Sequence, residues 1–298
     1  MAARAGKKGP WPLATAYLRR VLRDMAQVQI VDVGANPIEG DAPYLRLLEQ
    51  GLAYVTGFEP QPEPLAELNA RKSDNETYHP YALGAGGAAG LHVYHHSGFA
   101  SLFRIDQNIA KLLGFQRATR ETAVLPVTTH RLDDVPGIDR IDFLKIDVQG
   151  AEAAIIANAR DRLRDAVLIQ TEVRFVPLYE GEPCFAGLDI ELRGQGFLFH
   201  DFAFLKRVPL QSKAAEALRP SMRRQVLDGD AFYVKDLSNP DAYSDDQFRR
   251  LALLADMVMQ DAGLVLLCLE ALETRAAIKR GTAQRYLAQL PSALKREA

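Results

Sequence analysis

Ile30-Val31-Asp32-Val33-Gly34-Ala35-Asn36 is the stretch on which the reading of this chain turns. A short apolar strand climbs to an acid, and the chain then bends through small or polar residues. Asp41-Ala42-Pro43 follows, with Asp suited to cap a helix and Pro to its first turn. Strand, tight turn and helix open a nucleotide-binding α/β sheet, because small residues let backbone N–H groups approach a ligand closely. Taken alone, the same pattern fits a strand-to-helix turn in any α/β protein.

Working outward, strands and helices alternate. Residues 28–33 are apolar on both faces, as a central parallel strand is. Upstream, Leu13, Ala16, Tyr17, Val21, Leu22 and Met25 share one helical face. Downstream, the pattern predicts a helix over 44–50 ended by Gly51, a strand over 53–58 ending at Glu59-Pro60, a helix over 64–71 and a strand over 78–83. A glycine-rich turn (Gly84, Gly86, Gly87, Gly90) leads into an alternating strand over 91–95, and the pair reads as a hairpin inserted after the third strand.

A loop over 97–102, a helix over 105–113 and an extra alternating strand over 122–129 come next. Residues 141–147 form a strand, Gln149-Gly150-Ala151-Glu152 opens a helix, 166–172 is the next apolar strand, and 188–193 is a helix. Strands over 197–202 and 231–234 complete the sheet, close to antiparallel pairing. The sum is a doubly wound α/β sheet. From Asp245 the chain is helical by period, with Phe248, Leu251, Leu254, Met257 and Val258 on one face, a break at Gly263, and further helices over 264–277 and 283–294. Three segments are expected: an N-terminal arm and helix over 1–27, the α/β domain over 28–237, and a helical extension over 238–298. The apolar faces of the extension suit packing on the core, a homodimer interface or a partner enzyme.

The 298 residues are 48% hydrophobic and 25% charged, as in a soluble globular protein with a full core. The formal net charge of −2 supplies no positive field for nucleic acid. No basic stripe with interleaved aromatics and no Asn-Pro-Pro-Tyr-like string for a flipped base occurs. Cys184 and Cys268 have no metal-ligand spacing, and no Cys-x-x-Cys is present, so no metal is expected. Reduced thiols fit a cytoplasmic protein. Arg4, Lys7 and Lys8 precede Gly9-Pro10-Trp11-Pro12 rather than the apolar core of a signal peptide, and the apolar run over 264–269 is too short to span a bilayer.

Ligands of such sheets sit at the carboxyl ends of the strands, where strand order reverses. Asp32, Glu59 and Asp147 fall at predicted strand ends. An acid closing the second strand, such as Glu59, accepts hydrogen bonds from both hydroxyls of an adenosine ribose and repels a 2′-phosphate. A strand-end carboxylate facing water is the plainer alternative. The ribose pairing fits a nicotinamide dinucleotide or S-adenosylmethionine. A pyrophosphate needs the full G-x-G-x-x-G, whereas Gly34-Ala35-Asn36-Pro37-Ile38-Glu39-Gly40 lacks the second glycine and adds a negative charge at Glu39. S-adenosylmethionine carries a sulfonium and an ammonium, which Asp32 and Asp147 attract.

Asp32-Val33-Gly34-Ala35-Asn36, Gly57-Phe58-Glu59-Pro60 and Phe143-Leu144-Lys145-Ile146-Asp147-Val148-Gln149-Gly150-Ala151-Glu152 occur in that order. In these three motifs the chain resembles the FkbM family of S-adenosylmethionine-dependent methyltransferases. Ser101-Leu102 and Thr129-His130-Arg131-Leu132-Asp133-Asp134 are similar to further family segments. The likeness covers roughly residues 28–207. It implies the class I methyltransferase fold, a Rossmann-like, mostly parallel seven-stranded sheet, and O-methylation of a sugar, glycolipid or secondary-metabolite hydroxyl.

Carried over, the resemblance implies that Asp32, Gly34, Ala35 and Asn36 hold the methionine end and that Glu59, followed by Pro60, holds the ribose. Ala82 and Leu83 would border the adenine. Asp147, Val148 and Gln149 would line the floor under the sulfonium, and Ser101 would sit in a loop able to close over the cofactor. Two departures stand out. Gly40 comes four residues after Asn36, where the family has a glycine two residues after, and Gln149 replaces a common Glu.

Methyl transfer is an in-line displacement that alignment and water exclusion accelerate, with help from a base. Asp147, Glu172, His200 and His130 are candidate bases. Neighbouring strands bring Asp147 and Glu172 to one sheet edge, where they could deprotonate a hydroxyl, grip the substrate or hold a cation. Equally, Glu172 could pair with Arg174, and His200 could be a packed, hydrogen-bonded histidine between phenylalanines. The acceptor pocket is expected in loops 97–120 and 174–187, where Phe115, Phe175, Tyr179 and Phe185 could stack on a sugar or pack in the core. The competing functions are a nicotinamide-dependent oxidoreductase and a non-catalytic binding or assembly module.

Overall fold

A computed structural model of the chain describes residues 11–36, 40–222 and 224–296. Its elements in order are α1 (Pro12–Val21), β1 (Val28–Val33), α2 (Leu45–Glu49), β2 (Ala53–Phe58), α3 (Pro62–Arg71), β3 (Glu76–His79), β4 (Ala82–Leu83) and β5 (Gly87–Tyr94). Then come α4 (Gln107–Leu113), β6 (Glu121–His130), β7 (Phe143–Ile146), α5 (Glu152–Ala157), β8 (Leu168–Arg174) and α6 (Phe185–Gly194). The chain closes with β9 (Phe197–Val208), β10 (Gln225–Lys235), α7 (Asp245–Leu254), α8 (Ala262–Thr274) and α9 (Thr282–Gln289).

Seven strands form the central sheet in the order β3-β2-β1-β7-β8-β10-β9. β7 and β8 run parallel, and β10 runs antiparallel between β8 and β9. Strand order reverses between β1 and β7, so the crevice at their carboxyl ends is where a ligand of such a sheet binds. This is the class I methyltransferase sheet, as the resemblance implies.

Pro80 divides the expected third strand. A proline has no N–H to give to a ladder, so pairing stops at His79 and resumes at Ala82 in a different sheet. The expected inserted hairpin is therefore corrected to a three-stranded sheet of order β4-β6-β5. β5 finds its antiparallel partner in β6, and β4 pairs parallel with the other side of β6.

The chain divides into two compact units. The larger takes residues 31–36 and 56–236. Its core lies under the sheet, where Ile155 and Ile156 of α5 and Leu188 and Leu192 of α6 pack with Ile146, Ile169 and Tyr233. A second cluster of Tyr94, Ile105, Leu113, Leu178 and Tyr179 joins the inserted sheet to the segment after β8.

The smaller unit takes, among the described residues, 11–30, 40–55 and 237–296. α2 starts after Tyr44, three residues beyond the expected cap at Asp41, and Tyr44 itself gives no side-chain cap. Ser244 and Gln247 build a capping box at the start of α7. The following π-turn (Ala255–Met259) ends at Gln260 with φ +59°, and Asp261 caps α8 by accepting from Leu264 N. The break thus falls at Gln260, and Gly263 lies inside α8. Asp256 is buried in this unit and accepts from Tyr286 Oη (2.7 Å) and the Thr15 hydroxyl. No helix among the described residues is long and apolar enough to cross a membrane.

Candidate active site

The site begins where β1 ends. Gly34 has φ +78°, and a Cβ added to it would lie 2.0 Å from the carbonyl oxygen of Asp147. Only glycine combines that dihedral with that approach. Gly34 N and Ala35 N both donate to Phe58 O (3.0 and 3.1 Å), and Asp147 N donates to Val33 O (3.0 Å). Backbone bonds thus draw the ends of β1, β2 and β7 together. Residues 37–39, the extension noted in the sequence, lie outside the described residues.

Asp32 is 3% exposed and lies 3.1 Å from Lys145 Nζ on β7. The same ammonium donates to Gly34 O at 3.3 Å. The Asp32 charge is therefore balanced by a lysine from the neighbouring strand, which also fixes the turn. Lys145 escaped attention in the sequence; its signal was a single cation in an otherwise apolar strand, Phe143-Leu144-Lys145-Ile146.

Glu59 closes β2 and is 2% exposed. Its Oε1 accepts from Gln61 N at 2.8 Å. Burial raises its pKa, the Gln61 hydrogen bond opposes this, and the Asp32 charge adds to it. Phe58, His79, Tyr81 and His130 stack in sequence beside it, with centroid spacings of 5.5 Å, 5.5 Å and 4.6 Å. Ala82 and Leu83, expected to border an adenine, are buried in β4 against Thr129 and His130; Tyr81, just before them, is the partly exposed surface at that point.

After β7 the chain makes a tight turn. Glu152 accepts from Val148 N (3.1 Å) and Gly150 N (2.9 Å), holding it closed. Gln149 sits at φ +60°, which costs a side-chain-bearing residue about 1–2 kcal/mol. Ser101 Oγ donates to Gln149 O at 2.6 Å and accepts from Phe103 N at 3.0 Å. The loop expected to carry Ser101 over the site is thereby tied to it.

The Gln149 side-chain amide links the carboxylates. Its Nε2 donates to Asp147 Oδ1 (3.0 Å) and Glu172 Oε2 (3.1 Å), while its Oε1 accepts from Arg174 Nη2 (3.0 Å) and Tyr179 Oη (3.3 Å). Arg174 is 5% exposed. It contacts Glu172 (2.6 Å), Glu182 (3.4 Å) and Asp228 (3.5 Å), and lies over the Tyr179 ring. Burial pushes Glu172 well above the usual carboxylate range, against the pull of Arg174 and with help from the Asp147 charge.

Ligand atoms of Asp147, Glu152 and Glu172 all lie within 4.8 Å of one another, the geometry of a metal-binding group. Here the Gln149 amide spans Asp147 and Glu172, and Glu152 is committed to backbone N–H groups. One oxygen of Asp147, one of Glu172 and both of Glu152 thus already accept protein hydrogens.

The structure brings Asp32, Gly34, Ala35, Glu59, Asp147, Val148, Gln149, Ser101 and Glu172 around one sheet end. It does not bring His200 there. Phe204 is in register with Asp230, and Asp230 with Glu172. Register shifts in β9 set His200 level with Gln170 and Ile169 of β8, on an edge strand two strands away, roughly 7–10 Å along from Glu172 and roughly 10 Å across. It is removed from the candidate bases for that reason. His130 stacks on Tyr81. Phe175 and Phe185, both partly buried, pack with Phe199 and Phe202 against the core.

A sheet that reverses between β1 and β7 and ends in the antiparallel pair β10-β9, with an acid closing β2 and a glycine turn facing Asp147, has the class I methyltransferase fold. The chain belongs to the FkbM methyltransferase family: the family model described as the methyltransferase FkbM domain matches residues 32–199, more than half of the chain. Among curated proteins, it is 28% identical over 171 residues to the 2-O-methyltransferase NoeI of Sinorhizobium fredii (strain NBRC 101917 / NGR234), covering 54% of this chain and 70% of that one. Among solved structures, it is similar to magnesium protoporphyrin IX methyltransferase from Synechocystis PCC 6803 with bound SAM (12% identity, TM-score 0.34, 74% of this chain and 76% of that one). A TehB-like SAM-dependent methyltransferase from Corynebacterium glutamicum is similar at 10% identity and TM-score 0.35, over 75% of this chain and 88% of that one.

Proposed function

We propose that this methyltransferase moves a methyl group from S-adenosylmethionine to a hydroxyl of a sugar, a glycolipid or a secondary metabolite. The observation that carries the cofactor assignment is the Glu59 carboxylate, buried at the end of β2, with Oε1 on Gln61 N and the Gly34 turn beside it. A buried acid there suits a ribose diol, whose two O–H groups supply the donors it needs. The 2-O-methyltransferase among the relatives supports oxygen as the acceptor atom.

When bound, S-adenosylmethionine supplies a methyl group on a positively charged sulfur. The protein's part is alignment and charge. The Gly34–Asn36 and Asp147–Gln149 turns border the methionine end, and Tyr81 offers an aromatic face for the adenine. Bound there, the sulfonium would supply its methyl to the acceptor oxygen and keep the electron pair of the broken bond, and a carboxylate would take the hydroxyl proton. Glu172 suits that step. Its Oε2 is held by Arg174 and Gln149, which leaves Oε1 for the acceptor. Burial brings its pKa closer to working pH, which makes it a stronger base than an ordinary carboxylate.

Calorimetry with S-adenosylmethionine and its demethylated product tests the cofactor. Saturable heat with wild-type protein, reduced at least tenfold in affinity by Glu59→Ala, is expected. Folded protein that gives no heat with either compound, yet binds NAD, would overturn the assignment. Transfer of labelled methyl to a panel of free sugars, glycolipids and phenolic metabolites then separates the acceptor classes.

A further inference from the structure

The inserted sheet carries a second cavity, of about 690 Å³, that the chemistry above does not use. Tyr94, Gln107, Glu121 and three arginines, Arg104, Arg117 and Arg120, line it. Among the described residues none of the three arginines has a carboxylate partner, and the lining carboxylate, Glu121, is engaged by His92 Nδ1 at 2.5 Å. Three guanidiniums facing one volume repel one another, so an anion placed between them is stabilised on several sides.

The frame that holds them is fixed. His95 N donates to Arg120 O (2.9 Å) and His96 N to Ala118 O (3.1 Å), tying the 115–120 turn to the end of β5. Gln107 reaches Thr119 O, and Glu180 N donates to Arg104 O at 2.8 Å. These bonds fix the backbone from which the three exposed guanidiniums reach, and planar forks match the oxygens of phosphate and sulfate esters.

Two routes join this cavity to the active site. Arg104 lies three residues from Ser101, whose hydroxyl holds the Gln149 carbonyl, so at most about 11 Å of backbone separates them. Ile105 bridges to Tyr179, whose hydroxyl reaches Gln149 Oε1. A volume of this size holds far more than one bare oxyanion, since small-molecule pockets run from roughly 300 to 1,000 Å³.

We infer that Arg104, Arg117 and Arg120 form a binding subsite for a phosphate or sulfate ester carried by the acceptor. The link to the acceptor rests on the function proposed above, whereas binding of the ester itself does not.

Full-length protein is titrated calorimetrically with glucose 6-phosphate, glucose 6-sulfate, inorganic phosphate, inorganic sulfate and glucose. Wild type is expected to bind at least one ester, ten or more times tighter than the free ion, and to show no heat with glucose. Arg117→Gln/Arg120→Gln is expected to weaken the ester at least tenfold while leaving its circular dichroism melt and S-adenosylmethionine binding unchanged. His95 also lines the cavity and acts on both esters alike, so the phosphate ester is expected to weaken relative to the sulfate ester between pH 7.5 and 5.5, as its second proton returns. Equal binding of ester and free ion would reduce the cavity to an anion site and overturn the acceptor assignment. Unchanged ester binding in the double variant, no binding in wild type, or tighter capture of a single-stranded RNA 12-mer would each overturn the proposal. Loss of S-adenosylmethionine binding with ester binding intact would instead fall on the proposed function.

Discussion

Gly34 faces the Asp147 carbonyl so closely that a methyl group in place of its hydrogen would stand 2.0 Å from that oxygen. β1 and β7 meet there, at the reversal of the sheet. Gly51 makes a control: its φ is +66°, yet nothing lies within 4 Å of an added Cβ. Gly51→Ala is expected to cost only the left-handed backbone term, about 1–2 kcal/mol. Gly34→Ala adds a clash with main chain and is expected to cost well over ~2 kcal/mol and to abolish S-adenosylmethionine binding. Urea unfolding of both variants measures the difference, and equal losses would refute the close approach.

The Asp32–Lys145 pair gives a second prediction. Both side chains are largely buried. Lys145→Met leaves a buried carboxylate without its cation and is expected to cost roughly 3–5 kcal/mol. Adding Asp32→Asn removes the stranded charge, so the double variant is expected to be more stable than Lys145→Met alone. A double-mutant cycle by chemical denaturation reads the coupling; additive losses would show that the two charges do not interact.

Much of this site was legible in the sequence because it is local in the chain. Asp32-Val33-Gly34, Glu59 and the Asp147–Glu152 turn each announce themselves by residue type at a strand end. What could not be read were pairings that depend on neighbouring strands. Lys145 meets Asp32 because β7 lies beside β1, and Arg174, readable as a partner for Glu172 on its own strand, also takes Glu182 and Asp228 from two other segments. The alternation over 122–129 marked a strand but not its place as the middle of a separate sheet. His200 is a candidate base by residue type alone, whereas register and strand order set it apart from Glu172.

Glu59 predicts opposite effects on stability and on binding. Its folded pKa is raised by burial, so the folded state holds the proton more tightly than the unfolded chain. Stability is then fully present below the unfolded value of 4.5 and falls as pH rises through the folded one. Glu59→Gln, which keeps an acceptor for Gln61 N, is expected to raise the melting temperature at neutral pH and to leave it unchanged near pH 4. The same variant is expected to weaken S-adenosylmethionine about 10- to 100-fold, the worth of a hydrogen bond to a charged group. A Glu59→Gln protein that melts lower at pH 7.5, or binds the cofactor as well as wild type, would contradict this.

Tyr286 and Asp256 predict where the smaller unit takes its stability. The tyrosine hydroxyl lies 2.7 Å from Asp256 Oδ1, and both groups are buried. Tyr286→Phe leaves a buried carboxyl oxygen short of a donor, at a cost of about 1–3 kcal/mol. Burial raises the Asp256 pKa, so the loss is expected to be smaller in acid, where the protonated carboxyl can donate. Denaturant titrations at pH 4.5 and 7.5 test both the size and its pH trend.

Glu172 as base predicts the pH profile of methyl transfer. The deprotonated form accepts the acceptor proton, so the rate is expected to climb as pH rises through the raised Glu172 pKa and to level above it. Glu172→Gln is expected to lower kcat about 10²- to 10⁴-fold and to erase that limb, with little change in KM for S-adenosylmethionine. Arg174 pulls the Glu172 pKa down. Arg174→Met is therefore expected to move the limb to higher pH, while Arg174→Lys, which keeps the charge, moves it less. Because Arg174→Met also strands Glu182 and Asp228, rates are normalised to the folded fraction at each pH. An acid limb that persists in Glu172→Gln would assign the proton to another group, with Asp147, 3.0 Å from the shared Gln149 amide, the next carboxylate to test.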